Sequence, residues 1–359
     1  RNIGGALLDM GVSREVVCLD PPSSPYLDND RYHIHALGPG RGPWHYTKAL
    51  MPWLILNLPR FEVVIINGLW LYHSFAVWKA IKILKKRHPD LVPRVLVMPH
   101  GMLDPYFQRA KGRKLKAVRN WVYWKLIERK VVNDANGLLF TCETEMLLAR
   151  KAFKPYKPVK EHNAGYGIEA PPVYEKFMTD AFEKLCPGLD GHPYLLFLSR
   201  IHQKKGIDLL IKAYISIFNN ENKGVAPLPK LVIAGPGLDT SFGKKIQNEL
   251  MRAPQVKPNV FFPGMLYCDA KWGAFYGCEA FVLPSHQENF GIAVAEALAC
   301  SKPVLISDQV NIWREIEMGG AGIIGNDFYE GTREALLKWI NLNPKNKQVM
   351  GINALATYN

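Results

Sequence analysis

Two carboxylates, Glu288 and Glu296, close the stretch ENFGIAVAE at residues 288–296, and apart from Asn289 the residues between them are apolar or small. The preceding AFVLPS (280–285) reads as a buried strand, and Gly291 as the start of the helix that follows. Ligands of open α/β sheets bind beyond the carboxyl ends of the strands. A helix N-terminus there offers backbone N–H groups and partial positive charge, which suit a phosphate, and a glycine lets the ligand approach closely. From Glu288 to Glu296 the chain would rise about 12 Å if fully helical, about the span of a nucleoside diphosphate sugar from ribose to hexose. Carboxylates accept hydrogen bonds from hydroxyls. One at each end, with N–H donors between, suits a ligand with hydroxyls at both ends and phosphates in the middle. By themselves, two such glutamates are also what a helix cap and a solvated helix face provide.

A second anion site is expected in LSRIHQKKGIDLL (198–210). Arg200 and Lys205 flank a short loop between a strand end and a helix starting near Gly206, and guanidinium and ammonium groups recognise phosphate. The bland alternative is a solvated basic loop.

These residues need a frame that brings them together. In the second half, strand-like runs at 194–200, 230–235, 260–264, 280–285, 303–308 and 321–325 each precede a helical pattern, at 206–218, 242–253, 269–278, 291–300, 311–318 and 331–340. Such alternation predicts a parallel sheet covered by helices on both faces. The first half repeats the theme less regularly, with strands expected at 15–19, 33–37, 62–67, 94–100 and 137–142 and helices at 43–57, 74–87, 114–134 and 143–153. The Pro- and Gly-rich stretch 153–177 reads as the crossing between domains. The expected division is 1–167, 168–340, and a segment 341–359 returning toward the N-terminal domain. The chain opens on a helix and then a strand, whereas a doubly wound domain opens on a strand. The first strand and its turn are therefore expected upstream of Arg1.

With 45 Lys plus Arg against 32 Asp plus Glu, the net charge is +13, which favours an anionic partner. The six cysteines lie far apart, with no CxxC or CxxH pair, so neither a disulfide framework nor a zinc site is indicated, and a reducing, cytoplasmic setting is expected. No apolar run reaches the roughly 18 residues of a membrane span, and no secretory signal is visible.

Together these pieces resemble family 4 of the retaining glycosyltransferases, built on the GT-B fold of two Rossmann-like domains facing across a cleft. The pattern E-x7-E is Glu288 to Glu296, and the strand-Arg-x4-Lys-Gly pattern is Arg200 to Lys205-Gly206. AGPG (234–237) and PG (263–264) fall where that family has them; PHGML (99–103) resembles its His-Gly turn, and NGLW (67–70) its strand end. The resemblance covers nearly the whole chain and has the style of bacterial envelope or exopolysaccharide enzymes. It implies that Arg200 and Lys205 hold the donor diphosphate, that Glu296 binds the ribose and that Glu288 binds the sugar. It further implies that Asn289, Phe290, Gly291 and Ile292 contact sugar and phosphate. Gly235, Gly237, Gly264, Met265 and Leu266 would border the donor, and His100 would face it from across the cleft. The loop 308–316 departs from the family's usual GGxPE, which leaves its role open.

The implied reaction is retaining, metal-independent transfer of a hexose, glucose favoured, from a UDP-linked sugar to a saccharide or lipid-linked acceptor in polysaccharide biosynthesis. No cofactor is expected. Rival readings are a GT-B sugar-nucleotide epimerase, a glycan phosphorylase, a non-catalytic sugar-nucleotide sensor and a nucleic-acid binder. The epimerase and phosphorylase lack their signatures here, and no nucleic-acid motif accompanies the charge. The run 109–130 mixes basic and aromatic residues, including Lys111, Arg113, Lys114, Lys116, Arg119, Trp121 and Trp124. It reads either as a peripheral membrane contact or as a solvated helix with its aromatic rings packed inward.

Overall fold

The apolar runs of four or five residues become parallel strands, and the amphipathic stretches between them become the helices that cover the sheets. The computed structural model describes residues 2–27, 31–109, 114–221 and 228–359. Two units, Arg1–Gly167 and Ile168–Asn359, divide the chain.

The first unit runs α1 (Asn2–Asp9), β1 (Glu15–Cys18), β2 (His33–Ala36), α2 (Leu50–Asn57), β3 (Val63–Asn67), α3 (Tyr72–Arg87), β4 (Arg94–Met98), α4 (Tyr106–Arg109), α5 (Lys114–Tyr123), a π-helical turn (Trp124–Glu128), α6 (Arg129–Asp134), β5 (Gly137–Phe140), α7 (Glu143–Ala152) and β6 (Glu161–Asn163). Strands β3, β4, β5 and β6 form one parallel sheet in that order, and β1 pairs with β2 in another. Between the two sheets lies a cavity of about 390 Å³, lined by Val17 and Leu19 on the β1 side and by Val63, Val64, Ile65 and Ile66 of β3.

One strand departs from expectation. Residues 161–163, read as part of the crossing, pair as β6 with β5. The three residues Glu-His-Asn carry no apolar signal. What fixes them is Glu161, whose carboxylate accepts from Tyr156 Oη at 2.7 Å and pairs with Arg150 Nη2 at 2.8 Å.

The second unit runs α8 (Lys176–Glu183), β7 (Tyr194–Leu198), α9 (Ile207–Glu221), β8 (Lys230–Ala234), α10 (Ser241–Met251), β9 (Val260–Gly264), α11 (Cys268–Gly277), β10 (Ala280–Leu283), α12 (Ile292–Ala299), β11 (Val304–Ser307), α13 (Trp313–Met318), β12 (Gly322–Gly325), α14 (Tyr329–Ile340) and α15 (Pro344–Tyr358). Its strands form one parallel sheet in the order β12-β11-β10-β7-β8-β9. Chain order reverses between β7 and β10, which makes their carboxyl ends the topological switch point. The four inner strands, β11, β10, β7 and β8, are buried on both faces, as their unbroken apolar runs require, while the edge strands β12 and β9 are half-buried.

Residues 341–359, expected to return toward the N-terminal domain, instead carry α15, which packs on α12 and α13 of its own unit. Gly351 and Ala354 are the buried side of that helix. A β-carbon at Gly351 would stand 2.9 Å from the Ser301 carbonyl oxygen, so the small residues set the close approach.

Helix α8, which the sequence did not signal, is seated on α11 through Gly273, where a β-carbon would lie 2.0 Å from the Met178 carbonyl oxygen. Helix propensity favours alanine over glycine by about 1 kcal/mol, but overpacking against backbone costs about 1–3 kcal/mol. The expected outcome for Gly273→Ala is therefore a lower urea midpoint with an unchanged slope. An unchanged or raised midpoint would show that α8 does not sit so close.

Candidate functional site

The loops that follow β7 and β10 meet at the switch point. Arg200 stands just beyond β7 with its side chain exposed. A single 3-10 turn, Gln203–Lys205, then brings Lys205 inward, where it is buried. His202 caps the turn, its Nδ1 accepting from the Lys204 N–H at 3.0 Å. Gly206 ends it with φ +67, and a β-carbon there would lie 1.9 Å from the Pro284 carbonyl oxygen. Only glycine supplies both the left-handed backbone and the space.

Across from it, the Lys205 ammonium pairs with Glu288 Oε2. Burial, with the neighbouring charges of Lys204 and Arg200, pushes the ammonium down to about 8. The facing Glu288 carboxylate opposes that shift. Glu288 is held on both sides by the loop 309–311: its N–H donates to the Gln309 carbonyl at 2.9 Å, and its carbonyl accepts from the Asn311 N–H at 3.0 Å. Asn311 Nδ2 also donates to Asn289 Oδ1 at 3.4 Å. The loop whose role the sequence left open is therefore the backbone clamp of Glu288.

Gly291, at φ +81, precedes α12, and the helix starts at Ile292, which is exposed. Phe290 is half-buried beside it. The first N–H groups of α12 have no intrahelical partners and share the carboxyl-end loops with Lys205 and Glu288. Glu296 lies on α12 and pairs through Oε1 with Lys271 Nζ of α11 at 2.6 Å. Lys271 also sits 4.5 Å from the centroid of the Trp272 ring. Nothing in the sequence pointed to Lys271, because it lies on a separate helix and meets Glu296 only through packing.

The glycines of AGPG take a supporting place. A β-carbon at Gly235 would stand 2.0 Å from the Ser199 carbonyl oxygen, and one at Gly237 would stand 2.7 Å from that of Ile201. They let the loop after β8 close on the Arg200 loop, where Ile201 N–H donates to the Pro236 carbonyl at 2.8 Å. Gly264 ends β9, and its carbonyl accepts from the Gly235 N–H at 2.7 Å. Met265 is exposed beside it, and Leu266 is buried.

His100 belongs to the first unit, the other expected site residues to the second. It follows β4 with φ +51, a conformation few non-glycine residues adopt. Its Nε2 lies 3.0 Å from Asn67 Oδ1 at the end of neighbouring β3. Burial holds its imidazole below the ordinary histidine range, with Glu145 opposing. Buried Glu145 secures the turn: Oε1 accepts from the Gly101 N–H at 2.5 Å, and Oε2 accepts from Thr141 N and Oγ1 at 2.8 and 2.7 Å. The adjacent β3 end is fastened in the same manner. Trp70, at φ +71, donates its N–H to Glu128 Oε1 at 2.8 Å, and Ser74 Oγ donates to the same oxygen at 2.8 Å. Burial pushes the Glu128 carboxyl up to about 7. Both glutamates act through the fold, which is why they carried no sequence signal. Among the described residues, no three His, Cys, Asp or Glu side chains stand together as metal ligands.

Residues 187–355 match the family described as Glycosyl transferases group 1. The D-inositol 3-phosphate glycosyltransferase of Gordonia bronchialis is 28% identical over 236 residues, 63% of this chain and 49% of that protein. The alpha-monoglucosyldiacylglycerol synthase of Streptococcus pneumoniae is 27% identical over 188 residues, 50% of this chain and 39% of that protein. The chain thus spans half or less of the length of these relatives. Among solved structures, sucrose-phosphate synthase from Thermosynechococcus elongatus is similar with a TM-score of 0.65 at 18% identity, over 99% of this chain and 86% of that one. HepE of Anabaena, in complex with UDP and glucose, is similar with a TM-score of 0.69 at 15% identity, over 96% and 86%. Likeness at such identity carries the fold, which is GT-B: two Rossmann-like domains, each with parallel sheets. On that fold, residues 187–355 of the chain match the glycosyl transferases group 1.

Proposed function

We propose that this chain is a retaining glycosyltransferase. It moves a hexose, glucose in the first instance, from a UDP-linked donor to a saccharide or lipid-linked saccharide acceptor in polysaccharide assembly. The observation that carries the reading is the meeting of Arg200, Lys205, Glu288 and the start of α12 at the switch point of one sheet. The solved HepE complex with UDP and glucose supports the choice of base and sugar.

In this reading the bond between the anomeric carbon and the β-phosphate oxygen breaks, and negative charge gathers on the departing diphosphate. Arg200, Lys205 and the N–H groups opening α12 stabilise that charge. The acceptor hydroxyl attacks from the same face and passes its proton to the departing phosphate oxygen, so configuration is retained. An ion-paired Glu288 is a poor nucleophile, which favours this route over a double displacement through that carboxylate. Glu288 is assigned to the sugar hydroxyls and to keeping Lys205 charged, Glu296 to the ribose. His100 is assigned to the acceptor side. Cations from the chain itself supply the charge that a metal supplies elsewhere, so transfer is proposed to proceed without one and to survive EDTA.

Arg200→Ala and Lys205→Ala each remove one cation from the leaving group. Each is expected to slow transfer by on the order of 10²-fold or more while the thermal midpoint moves little. Normal turnover by both variants would sink the assignment.

The two glutamates are expected to separate in calorimetry with UDP and with the sugar donor. Glu296→Gln should weaken both ligands alike. Glu288→Gln should weaken the sugar donor more than UDP, but it should weaken UDP as well, because Lys205 loses its counter-charge. The ion pair thus couples two roles that the motif alone presents as independent. Full retention of both affinities in Glu288→Gln contradicts the pairing.

The lowered ammonium of Lys205 sets a pH dependence. The charged form binds diphosphate and is lost as pH rises through about 8, so UDP affinity is expected to fall between neutral and mildly alkaline pH. The free protein goes the other way. A lysine whose folded value lies below its unfolded one binds its proton less tightly when folded, so stability rises with pH across that window. Lys205→Arg, charged throughout, should flatten both profiles. A flat UDP profile in the unsubstituted protein would contradict this.

A further inference from the structure

Helix α5 and the π-helical turn that continues it present an apolar side to solvent. Leu115, Val118 and Val122 follow one another at three- and four-residue spacing, and Leu126 extends the stripe. Their exposures are 89%, 62%, 42% and 64%, and Trp121 beside them is 55% exposed. On the opposite side Asn120, Trp124 and Glu128, four residues apart, are buried. The helix therefore buries an amide and a carboxyl while it leaves four aliphatic side chains uncovered. Contiguous exposed apolar surface of this kind marks a docking face.

The flanks say what docks there. Lys114, Lys116, Arg119, Lys125 and Lys130 are exposed around the stripe. Glu128 is the one acidic residue between positions 114 and 130, and it is buried. Lys125 Nζ lies 5.1 Å from the centroid of the Trp121 ring, the pairing of an amphipathic ring with a cation that suits an interface between water and lipid. Lys111 and Arg113, expected to join this set, lie outside the described residues. A second copy of the chain would bring one basic stripe against another, and like charges repel. A nucleic acid would meet the cations but leave the aliphatic stripe without a partner.

We infer that α5 docks this protein on an anionic lipid surface. The stripe from Leu115 to Leu126 enters the boundary between headgroups and acyl chains, Trp121 lies at headgroup level, and the flanking lysines and arginine meet lipid phosphates. The expectation that Trp121 and Trp124 act together divides: Trp124 is core, and only Trp121 is available to lipid. The buried Trp124–Glu128 side fastens α5 to its unit, so binding needs no refolding of the helix. The inference goes beyond the proposed sugar transfer and does not rest on it.

The test is co-sedimentation of the full chain with vesicles of phosphatidylcholine alone and of phosphatidylcholine mixed with phosphatidylglycerol, at low and high salt. Binding to the mixed vesicles alone, weakened by salt, is the expected result. Two paired variants on exposed positions separate the contributions: Leu115→Asp with Val118→Asp, and Lys116→Glu with Arg119→Glu. Each pair is expected to lower partition at least about tenfold with an unchanged thermal midpoint. Donor turnover with a soluble saccharide acceptor should stay unchanged in both, so loss of vesicle binding and failure of the proposed activity are read separately. Three results overturn the inference. The first is no partition to anionic vesicles at low salt. The second is unaltered partition in Leu115→Asp with Val118→Asp, which would assign binding to the general positive charge. The third is a dimer in analytical ultracentrifugation that the same pair abolishes.

Discussion

Gly206 packs against the Pro284 carbonyl so closely that no side chain fits, and through this contact the loop after β7 rests on the loop after β10. The Lys204 carbonyl completes the seam by accepting from the His286 N–H at 2.8 Å and from Ser285 Oγ at 3.0 Å. Ser285 in turn gives its carbonyl to Ser307 Oγ, which ties in the end of β11. Three strand ends are thereby locked together by backbone and serine hydroxyl contacts before any charged side chain is considered. Lys205 and Glu288, 83 positions apart in the chain, can pair because this seam holds them there.

A buried ammonium is costly unless it is paired, and Glu288 supplies the pair. The carboxylate is in turn placed by the backbone of residues 309–311, so the position of Lys205 depends on the loops that follow three neighbouring strands, β7, β10 and β11. In the proposed reaction a bound diphosphate offers the same ammonium a second anion and frees Glu288 to accept hydroxyls, so that one charge balance would connect leaving-group stabilisation to sugar binding. Lys271 and Glu296 repeat the arrangement midway along α12, so each glutamate of the E-x7-E pair is held beside a lysine.

The first unit solves a comparable problem with the opposite charge. Two non-glycine residues, Trp70 and His100, stand in the left-handed region at neighbouring strand ends. Each turn is fastened by a buried glutamate, Glu128 or Glu145, that accepts backbone N–H groups. Such strain persists only where the surroundings over-determine it. Glu128 lies in the π-helical turn that carries α5, so the element that fixes the β3 end also orients the aliphatic stripe toward solvent.

The sequence by itself determined the parallel-sheet class, the six strand–helix units of the second half and the residues at their carboxyl ends. Those signals are local: a continuous apolar run encodes a strand buried on both faces, and a glycine after it encodes a turn that only glycine allows. Arg200, Lys205, Glu288 and Glu296 were legible because each sits within a few residues of such a boundary. The tertiary structure alone decided what those boundaries touch. Lys271 met Glu296, the loop 309–311 clamped Glu288, Gly235 and Gly237 became supports of the Arg200 loop, and Glu145 and Glu128 became anchors of strained turns. It also decided that β6 is a strand, since Glu161 is held there by Arg150 and Tyr156 rather than by any apolar pattern. The same holds for α5, where periodicity identifies a helix with one apolar and one mixed face but not which face is covered. Sequence spacing records which residues share a side of an element; only packing says what lies opposite that side.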